Sequence, residues 1–277
     1  MPSRRFKQVD VFTATPFAGN PVAVVIDAEG LDTDEMQRFA RWTNLSETTF
    51  LLPPTHPDAD YHLRIFTPSQ ELPFAGHPTL GSCSAWLEAG GRPRAADLVV
   101  QECIAGLVSV RRAEGGLAFA APPLVRSGPV AEEDVQRIAG ILRLDRADIL
   151  EAQWVDNGPG WVAVLLASAD AVLAVRPGPT DLDIGVVGLL PPGSSEAVEV
   201  RAFFPVGGTT VEDPVTGSLN ASLAGWLIGS GRVSAPYTAR QGTAIGRAGR
   251  VRITADPDGS LWTGGGTITC ISGTVEL

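Results

Sequence analysis

The sequence predicts an α+β fold made of two similar halves, each a curled, mostly antiparallel sheet wrapped around a central helix. Three observations predict it: motifs that recur in the same order, short β-branched runs typical of strands, and one apolar helix rich in small residues in each half. A chain of 277 residues can form two such domains, each with its own core. We expect domains at residues 1–122 and 123–277, with the last strand of the chain crossing over to the first domain.

The internal repeat is seen when the two halves are placed side by side. In each half an Arg-x-Phe-x-Pro motif is followed by a polar residue, a proline and a Gly-Ser pair. These motifs begin at Arg64 and His77 in the first half and at Arg201 and Asp213 in the second. Further along, residues 101–106 resemble residues 241–246. Several short matches in one order indicate a duplication.

Both halves carry the same kinds of element. The expected strands are residues 6–12, 22–26, 61–66, 99–101 and 108–112 in the first half, and 161–166, 198–204, 251–254 and 266–275 in the second. A cap or an acidic turn signals a peripheral helix in each half, at residues 33–35 and 132–134. The central helices are expected at residues 79–88 and 218–228.

Composition and charge exclude several classes of function. The formal net charge is −10 and basic residues do not cluster, so we expect no nucleic-acid partner. No apolar run is long enough for a membrane helix, and none resembles a secretory signal. The cysteines are odd in number and widely spaced (Cys83, Cys103 and Cys270), so we expect them to be reduced and the protein to be cytoplasmic.

Lysine and histidine usage narrows the chemistry further. Lys7 is the only lysine and lies beside the N-terminus, which argues against Schiff-base enzymes. The three histidines, His56, His62 and His77, do not have the spacing of a zinc site. The sequence also lacks the glycine-rich motifs of nucleotide-binding proteins. These residues therefore argue against a Schiff-base enzyme, a zinc enzyme and a nucleotide-binding protein.

The start of each central helix is a candidate anion site. Proline suits the first turn of a helix, glycine lets a ligand approach the backbone, and free first-turn N–H groups bind anions. If the halves pack about a pseudo-twofold axis, both helix starts face one cleft, and a carboxylate lies between their positive dipole ends. His77 and Asp213 then lie on opposite sides of it. The alternative is that these residues are ordinary helix caps.

Glu47 is the candidate acid/base residue. It lies between the first helix and the apolar run Phe50–Leu52, and its neighbours from Trp42 to Leu52 include no basic residue. A carboxyl group removed from water in this way holds its proton to higher pH and can exchange protons near neutrality. The alternative is an ordinary exposed loop glutamate.

Four stretches together resemble the PhzF-like phenazine biosynthesis family, within the diaminopimelate epimerase-like superfamily. They are residues 9–12 with 19–24, residues 44–50, residues 66–79 and residues 211–218. The most specific is the string Glu-Leu-Pro-Phe-Ala-Gly-His-Pro that ends at Pro78.

The resemblance implies a homodimer of two-domain chains without a metal or organic cofactor. It also implies an isomerase of secondary metabolism that moves a proton between carbons of a small unsaturated carboxylic acid. Glu47 matches the family's acid/base, and His77, Asp213 and Ser218 match its other polar site residues. The residues expected to bind the substrate are Asn20, Ser46, Gly76, Pro78, Thr79, Thr216 and Gly217.

The chain departs from the family pattern at two places. Leu219 and Asn220 follow the Gly-Ser pair where relatives often have small residues and frequently a histidine, and Gly160 stands where some relatives carry a basic residue. These changes leave the substrate open. Two alternatives also stay open: an amino-acid racemase of the same superfamily, which would need paired cysteines at the helix starts, and a non-catalytic binder of a small acid.

Overall fold

The computed structural model describes residues 2–277 and divides the chain into two compact units. The first unit consists of the chain up to Ala120 together with Gly264–Leu277, and the second of Ala121–Thr263. The C-terminal strand therefore belongs to the first unit. None of the helices among residues 2–277 is both long and apolar enough to cross a membrane.

The first unit is a curved sheet around one helix. Its elements are β1 (Ser3–Val11), β2 (Asn20–Val25), α1 (Thr33–Thr43), β3 (Glu47–Leu52), β4 (Tyr61–Phe66), β5 (Glu71–Leu72), α2 (Gly76–Glu88), β6 (Leu98–Cys103), β7 (Gly106–Ala113) and β8 (Gly116–Ala120). β1 pairs antiparallel with β2, β2 parallel with β3, β3 antiparallel with β4, and β4 parallel with β6. β6, β7 and β8 continue antiparallel.

The second unit repeats this order with an added N-terminal strand and helix. Its elements are β9 (Arg126–Pro129), α3 (Glu132–Leu142), β10 (Glu151–Asp156), β11 (Val162–Leu166), α4 (Ala169–Ala174), β12 (Ile184–Leu189), β13 (Val198–Val206), β14 (Thr209–Glu212), α5 (Gly217–Gly229), β15 (Tyr237–Gln241), β16 (Gly249–Ala255) and β17 (Leu261–Gly265), whose end crosses the unit boundary. β18 (Thr267–Glu276) then pairs antiparallel with β1 in the first unit.

Strand register shows the duplication. β2 runs parallel to β3 with Val22 opposite Glu47, and β11 runs parallel to β12 with Val162 opposite Ile184. In each unit the following strand is antiparallel and then pairs parallel with the strand after the central helix. The ladders therefore repeat pair by pair, and the predicted fold class is confirmed.

The Arg-x-Phe-x-Pro motif has the same role in both units. Arg64 forms a two-pronged ion pair with Glu71 and lies 5.1 Å from the ring centre of Phe66. Its counterpart Arg201 pairs with Glu212 in the same way and lies 4.8 Å from the ring centre of Phe203. The motif thus ties the strand that carries it to the next short strand.

Small residues let the sheet close around α2. The helix is buried from Gly76 to Ala85, and it contacts strands on several sides. A Cβ atom at Gly81 would come within 2.4 Å of the Val22 side chain, so only glycine fits there. In the second unit α5 is buried in the same way and packs against β10 and β16.

The element boundaries differ from the predicted ones at the central helices. α2 begins at Gly76 and not at Thr79, because Pro78 is compatible with a first helical turn. α4 was not predicted, since its six residues are too few to show a helical period. The single strand expected at residues 266–275 is β18, and β17 precedes it.

Candidate active site

Glu47 and His77 meet at the start of the central helix of the first unit. Glu47 opens β3 and His77 is the second residue of α2, and His77 Nε2 lies 3.1 Å from Glu47 Oε2. The side chains are only 15% and 6% exposed. The distance is that of an ion pair, but the approach is not that of a hydrogen bond, so Glu47 Oε2 is a shielded acceptor that no protein donor saturates.

Local structure on both sides fixes Glu47 in this place. α1 ends at Asn44, which adopts the left-handed conformation with φ of 53° and accommodates the sharp exit from the helix. The chain then enters β3, where Glu47 pairs with Val22 of β2. Ser46, a predicted binding residue, is exposed beside it. The carboxyl is therefore set at the end of a buried strand and not on a free loop.

The start of α2 offers backbone donors. Its N-cap residue, Ala75, cannot cap with a side chain, so the N–H groups of the first turn are not occupied by one. Gly76 and Pro78 are buried in this turn. Thr79 is fully buried, and its hydroxyl accepts a hydrogen bond of 3.1 Å from Gln101. This hydrogen bond holds Thr79 in place at the first turn of α2.

The buried carboxylate of Asp10 fixes the backbone just before Asn20, in the same unit. Asp10 is 2% exposed, and its Oδ2 accepts a hydrogen bond of 3.0 Å from the backbone N–H of Gly19. Gly19 approaches so closely that a Cβ atom would lie 2.1 Å from the carbonyl oxygen of Val11. Asn20 follows as the first residue of β2, fully buried. Asp10 was not among the predicted site residues, although it stands in a motif of the family resemblance.

Asp213 and Ser218 flank the start of α5 in the second unit. Asp213 Oδ2 accepts a hydrogen bond of 2.6 Å from the Thr216 hydroxyl, and Asp213 is half-buried. Thr216 is the N-cap by position, but its side chain does not cap the helix. The first-turn N–H groups, including that of Gly217, therefore form a second donor cluster.

Ser218 is held by the loop that contains Gly160. Trp161 Nε1 donates a hydrogen bond of 3.0 Å to Ser218 Oγ, and Asn157 Nδ2 donates one of 3.1 Å to the Ser218 carbonyl oxygen. A hydroxyl that accepts from an indole N–H keeps its own proton to donate. Ser218 is thereby prepared to bind an acceptor such as a carboxylate oxygen.

The same loop explains the glycine at position 160. Asp156 Oδ1 accepts hydrogen bonds of 2.7 Å from the N–H groups of Gly158 and Gly160, and Gly160 has φ of 102°. A side chain at this φ is strained. Nearby, burial raises the pKa of Asp183 to about 6, and the charge of Asp156 adds to the effect.

Two of the three cysteines are unsuited to thiol chemistry. Cys83 is fully buried inside α2, and burial raises the pKa of its thiol to about 12. Burial also raises the pKa of Cys103. Neither is the reactive thiolate that proton abstraction by cysteine needs. Among residues 2–277, no three His, Cys, Asp or Glu side chains come together as a metal site would require.

This geometry defines a class of protein: a duplicated α+β fold with a carboxyl–imidazole pair at the start of a buried helix that no side chain caps. The chain belongs to the phenazine biosynthesis-like protein family, whose family model matches residues 9–267. The resemblance seen in the sequence motifs is thereby confirmed.

Relatives cover nearly the whole chain. It is 37% identical over 295 residues to antisense-enhancing sequence 1 of Schizosaccharomyces pombe, with 99% of each chain covered. It is 34% identical over 247 residues to trans-2,3-dihydro-3-hydroxyanthranilate isomerase of Pseudomonas fluorescens, with 86% of each covered. The structure is similar to that of a phenazine biosynthesis protein of the PhzF family from Bacillus anthracis, with a TM-score of 0.85, 24% identity and full coverage of both chains. That likeness shows a shared fold.

Proposed function

We propose that this protein is a cofactor-independent isomerase that moves a proton between two carbons of a small unsaturated amino carboxylic acid. The observation that carries the proposal is the pair of Glu47 and His77, shielded from water at a helix start that no side chain caps. Family membership and relatives with isomerase names support the same reaction class.

Glu47 is the acid/base in this proposal. As a carboxylate it removes a proton from an allylic carbon, and as the acid so formed it returns the proton to another carbon of the same π-system. Its shielded Oε2 has no saturating protein donor, so it can face the carbon acid directly. His77 Nε2 lies 3.1 Å from Glu47 Oε2 and orients the carboxyl group. One residue in both roles needs no second base.

Binding of the substrate is assigned to the helix starts. The proposed donors for carboxylate oxygens are the backbone N–H of Gly76 in α2 and, in α5, the backbone N–H of Gly217 with the Ser218 hydroxyl. Pro78, which has no N–H group, shapes the first turn of α2. Asp213 is negatively charged and suits the amino group of the substrate. Asn20, Ser46, Thr79 and Thr216 line or support these turns.

The substrate class follows from the relatives and from the departures. Trans-2,3-dihydro-3-hydroxyanthranilate, named for the Pseudomonas relatives, is a cyclohexadiene that carries a carboxylate and an amine. This chain has Gly160, Leu219 and Asn220 near its second helix start. We therefore propose another small unsaturated amino acid of the same class as substrate, acted on in secondary metabolism.

A racemase of the same superfamily is the second candidate, and the thiols argue against it. Cys83 lies inside α2 and not at its first turn, and its raised pKa keeps it protonated near neutrality. A binder without activity is the third candidate.

We further propose a cytoplasmic homodimer that binds neither nucleic acid nor a metal. Light scattering of the purified protein tests the dimer, and metal analysis tests the metal content.

Solvent deuterium distinguishes these candidates. The protein is incubated in heavy water with trans-2,3-dihydro-3-hydroxyanthranilate and with a panel of cyclic and acyclic dienoic amino acids, and exchange is followed by proton NMR. We expect deuterium at an allylic carbon together with a shifted double bond. Exchange only at the α-carbon would indicate a racemase, and binding without exchange would indicate a binder.

Two glutamate variants assign the reaction to Glu47. Glu47→Gln should abolish turnover, while affinity for the ligand stays within a few-fold, because the amide keeps the shape of the site. Glu133→Gln, at an exposed position of α3, is the matched control and should retain full activity. Turnover that survives in Glu47→Gln would show that another group is the base.

A further inference from the structure

A chain of hydrogen bonds between buried side chains ends on Asp213. Asn220 Nδ2 donates to Gln241 Oε1 at 2.8 Å, Gln241 Nε2 donates to Thr216 Oγ1 at 2.9 Å, and Thr216 Oγ1 donates to Asp213 Oδ2 at 2.6 Å. Asn220, Gln241 and Thr216 are 1%, 0% and 7% exposed. Three side chains that would each need a partner in the core thus serve one half-buried carboxylate.

All the hydrogen bonds in this series of side chains have the same donor-to-acceptor direction. An amide nitrogen can only donate, so the amide groups of Asn220 and Gln241 pass donors toward Thr216. The Thr216 hydroxyl has a single proton. Its oxygen accepts the hydrogen bond from Gln241, and its O–H group donates a hydrogen bond to Asp213. Hydrogen bonds aligned in this way strengthen one another, and the last one fixes the direction of the Asp213 carboxylate.

The first unit provides an internal comparison. Gln101 is the repeat counterpart of Gln241, and Thr79 is the fourth residue of α2 as Asn220 is of α5. There, Gln101 Nε2 donates to Thr79 Oγ1 at 3.1 Å, and Gln101 Oε1 accepts from the Tyr61 hydroxyl at 3.2 Å. The glutamine amide therefore points its N–H into the helix.

Asn220 reverses this orientation in the second unit. It presents an N–H where Thr79 presents an acceptor oxygen, so Gln241 turns its oxygen toward the helix and its N–H group toward Thr216. The same N–H group lies 3.2 Å from the backbone carbonyl oxygen of Asp213. The Thr216 backbone N–H also donates to Gln241 Oε1, at 3.0 Å, so this N–H and the Asn220 amide together direct the Gln241 N–H group toward the side of Asp213.

We propose that Asn220 and Gln241 are positioning residues that act through Thr216 to hold Asp213 as a fixed, charged hydrogen-bond acceptor for the amino group of the substrate. The inference rests on the proposed function, in which Asp213 contacts the substrate. It assigns Asp213 to recognition and leaves the proton transfer to Glu47. It also selects substrates that carry an ammonium group beside the carboxylate.

Three variants test this series of hydrogen bonds. Thr216→Val removes the hydroxyl at nearly constant shape, and Thr216→Ser keeps it. Asn220→Thr installs the residue of the first unit and removes one of the two donors that orient the Gln241 amide. We expect Thr216→Val and Asn220→Thr to lower kcat/KM about tenfold or more, mainly through KM, because a hydrogen bond to a charged group is lost. Thr216→Ser should recover most of the activity.

Controls separate positioning from a general loss of stability. Gln153→Met removes a side-chain amide that bonds Glu151 in the same unit, and should leave kcat/KM unchanged. In an Asp213→Asn background, Asn220→Thr should cause little further loss, since both act on one interaction. For a substrate analogue without the amino group, wild type and Asn220→Thr should have the same KM.

The outcomes also distinguish the inference from the function beneath it. If wild type turns over and Glu47→Gln does not, but Thr216→Val and Asn220→Thr keep the wild-type KM, the positioning role is wrong and the isomerase stands. A loss of equal size for substrates with and without the amino group would overturn it as well. If wild type exchanges no ligand proton, the proposed function fails and the inference falls with it.

Discussion

Trp161 Nε1 donates a hydrogen bond to Ser218 Oγ at 3.0 Å, which joins the loop after β10 to the first turn of α5. Because the indole occupies a lone pair of the hydroxyl, the Ser218 proton is left to a ligand. Trp161→Phe should therefore raise KM for a carboxylate substrate roughly fivefold, the worth of about 1 kcal/mol, and change kcat little. Steady-state kinetics measures both.

Trp226→Phe is the matched control for this variant. Trp226 Nε1 donates to Glu151 at 3.1 Å, away from the start of α5, so its loss should change stability but not KM. Equal KM values for wild type and Trp161→Phe would show that the indole serves packing alone.

His77 is expected to act on kcat and not on binding. Its Nε2 atom lies 3.1 Å from Glu47 Oε2, so it sets the direction of the base. His77→Gln should lower kcat by about a hundredfold, within the usual range for a lost acid/base partner. His62→Gln, on β4, should leave kcat unchanged. In a Glu47→Gln background His77→Gln should add little, since residues of one unit are not additive.

The sequence predicts those parts of the proposed site whose residues lie close together in a short motif. Glu47, His77 and the turns around Gly76 and Gly217 could be proposed from the sequence because each lies in a short motif, and the duplication repeats the helix-start motif. Trp161 was missed because its partner Ser218 is 57 residues away, and a strand register that no local pattern reveals brings them together. In the sequence, Gln241 could be recognised only as the repeat counterpart of Gln101. Its role follows from the hydrogen-bond partners of the two side-chain amides in the structure.

The fold divides in the same way. The repeated ladder followed from motifs in one order, whereas α4 and β10 were not predicted, because short elements covered by other structure carry little periodicity of their own. Ser168 caps α4 by accepting from Ala171, a signal that stands alone in the sequence. Tertiary contacts, and not local preference, determine these segments.

Two equivalent arginines should differ in their contribution to stability. Arg201 and Glu212 have side chains only 5% and 11% exposed, and Arg201 also donates to the carbonyl oxygens of Val172 and Val175. Arg201→Met strands a buried carboxylate and should lower the free energy of unfolding by about 3–5 kcal/mol. Chemical denaturation followed by tryptophan fluorescence measures the change.

Arg64 is the natural control, because it makes the same pair with Glu71 at 19% and 20% exposure. Arg64→Met should cost about 1 kcal/mol, since water compensates the remaining charge. The double variant Arg201→Met with Glu212→Leu should recover much of the loss, because no charge is then left buried. Equal losses in the two units would contradict the burial argument.

Stability should depend on pH through Asp183. Its pKa rises from 3.8 to about 6 in the folded protein, first because the carboxyl is buried and then because Asp156 is close. Between about pH 4 and pH 6 the folded state therefore holds more protons at this residue than the unfolded state. Stability from this residue is fully present at the acid end, falls as the pH rises through the folded pKa, and stays lower above it.

Asp183→Asn removes the titration and keeps the shape. The melting temperature of Asp183→Asn minus that of wild type should rise from pH 4 to about pH 6.5 and then level off, because only wild type must ionise a buried carboxyl group. Asp97→Asn, at an exposed position, should show no such rise. Asp156→Asn should move the wild-type transition to lower pH, as the like charge is removed. A difference that is constant with pH would mean that Asp183 ionises as freely in the folded protein as in the unfolded chain.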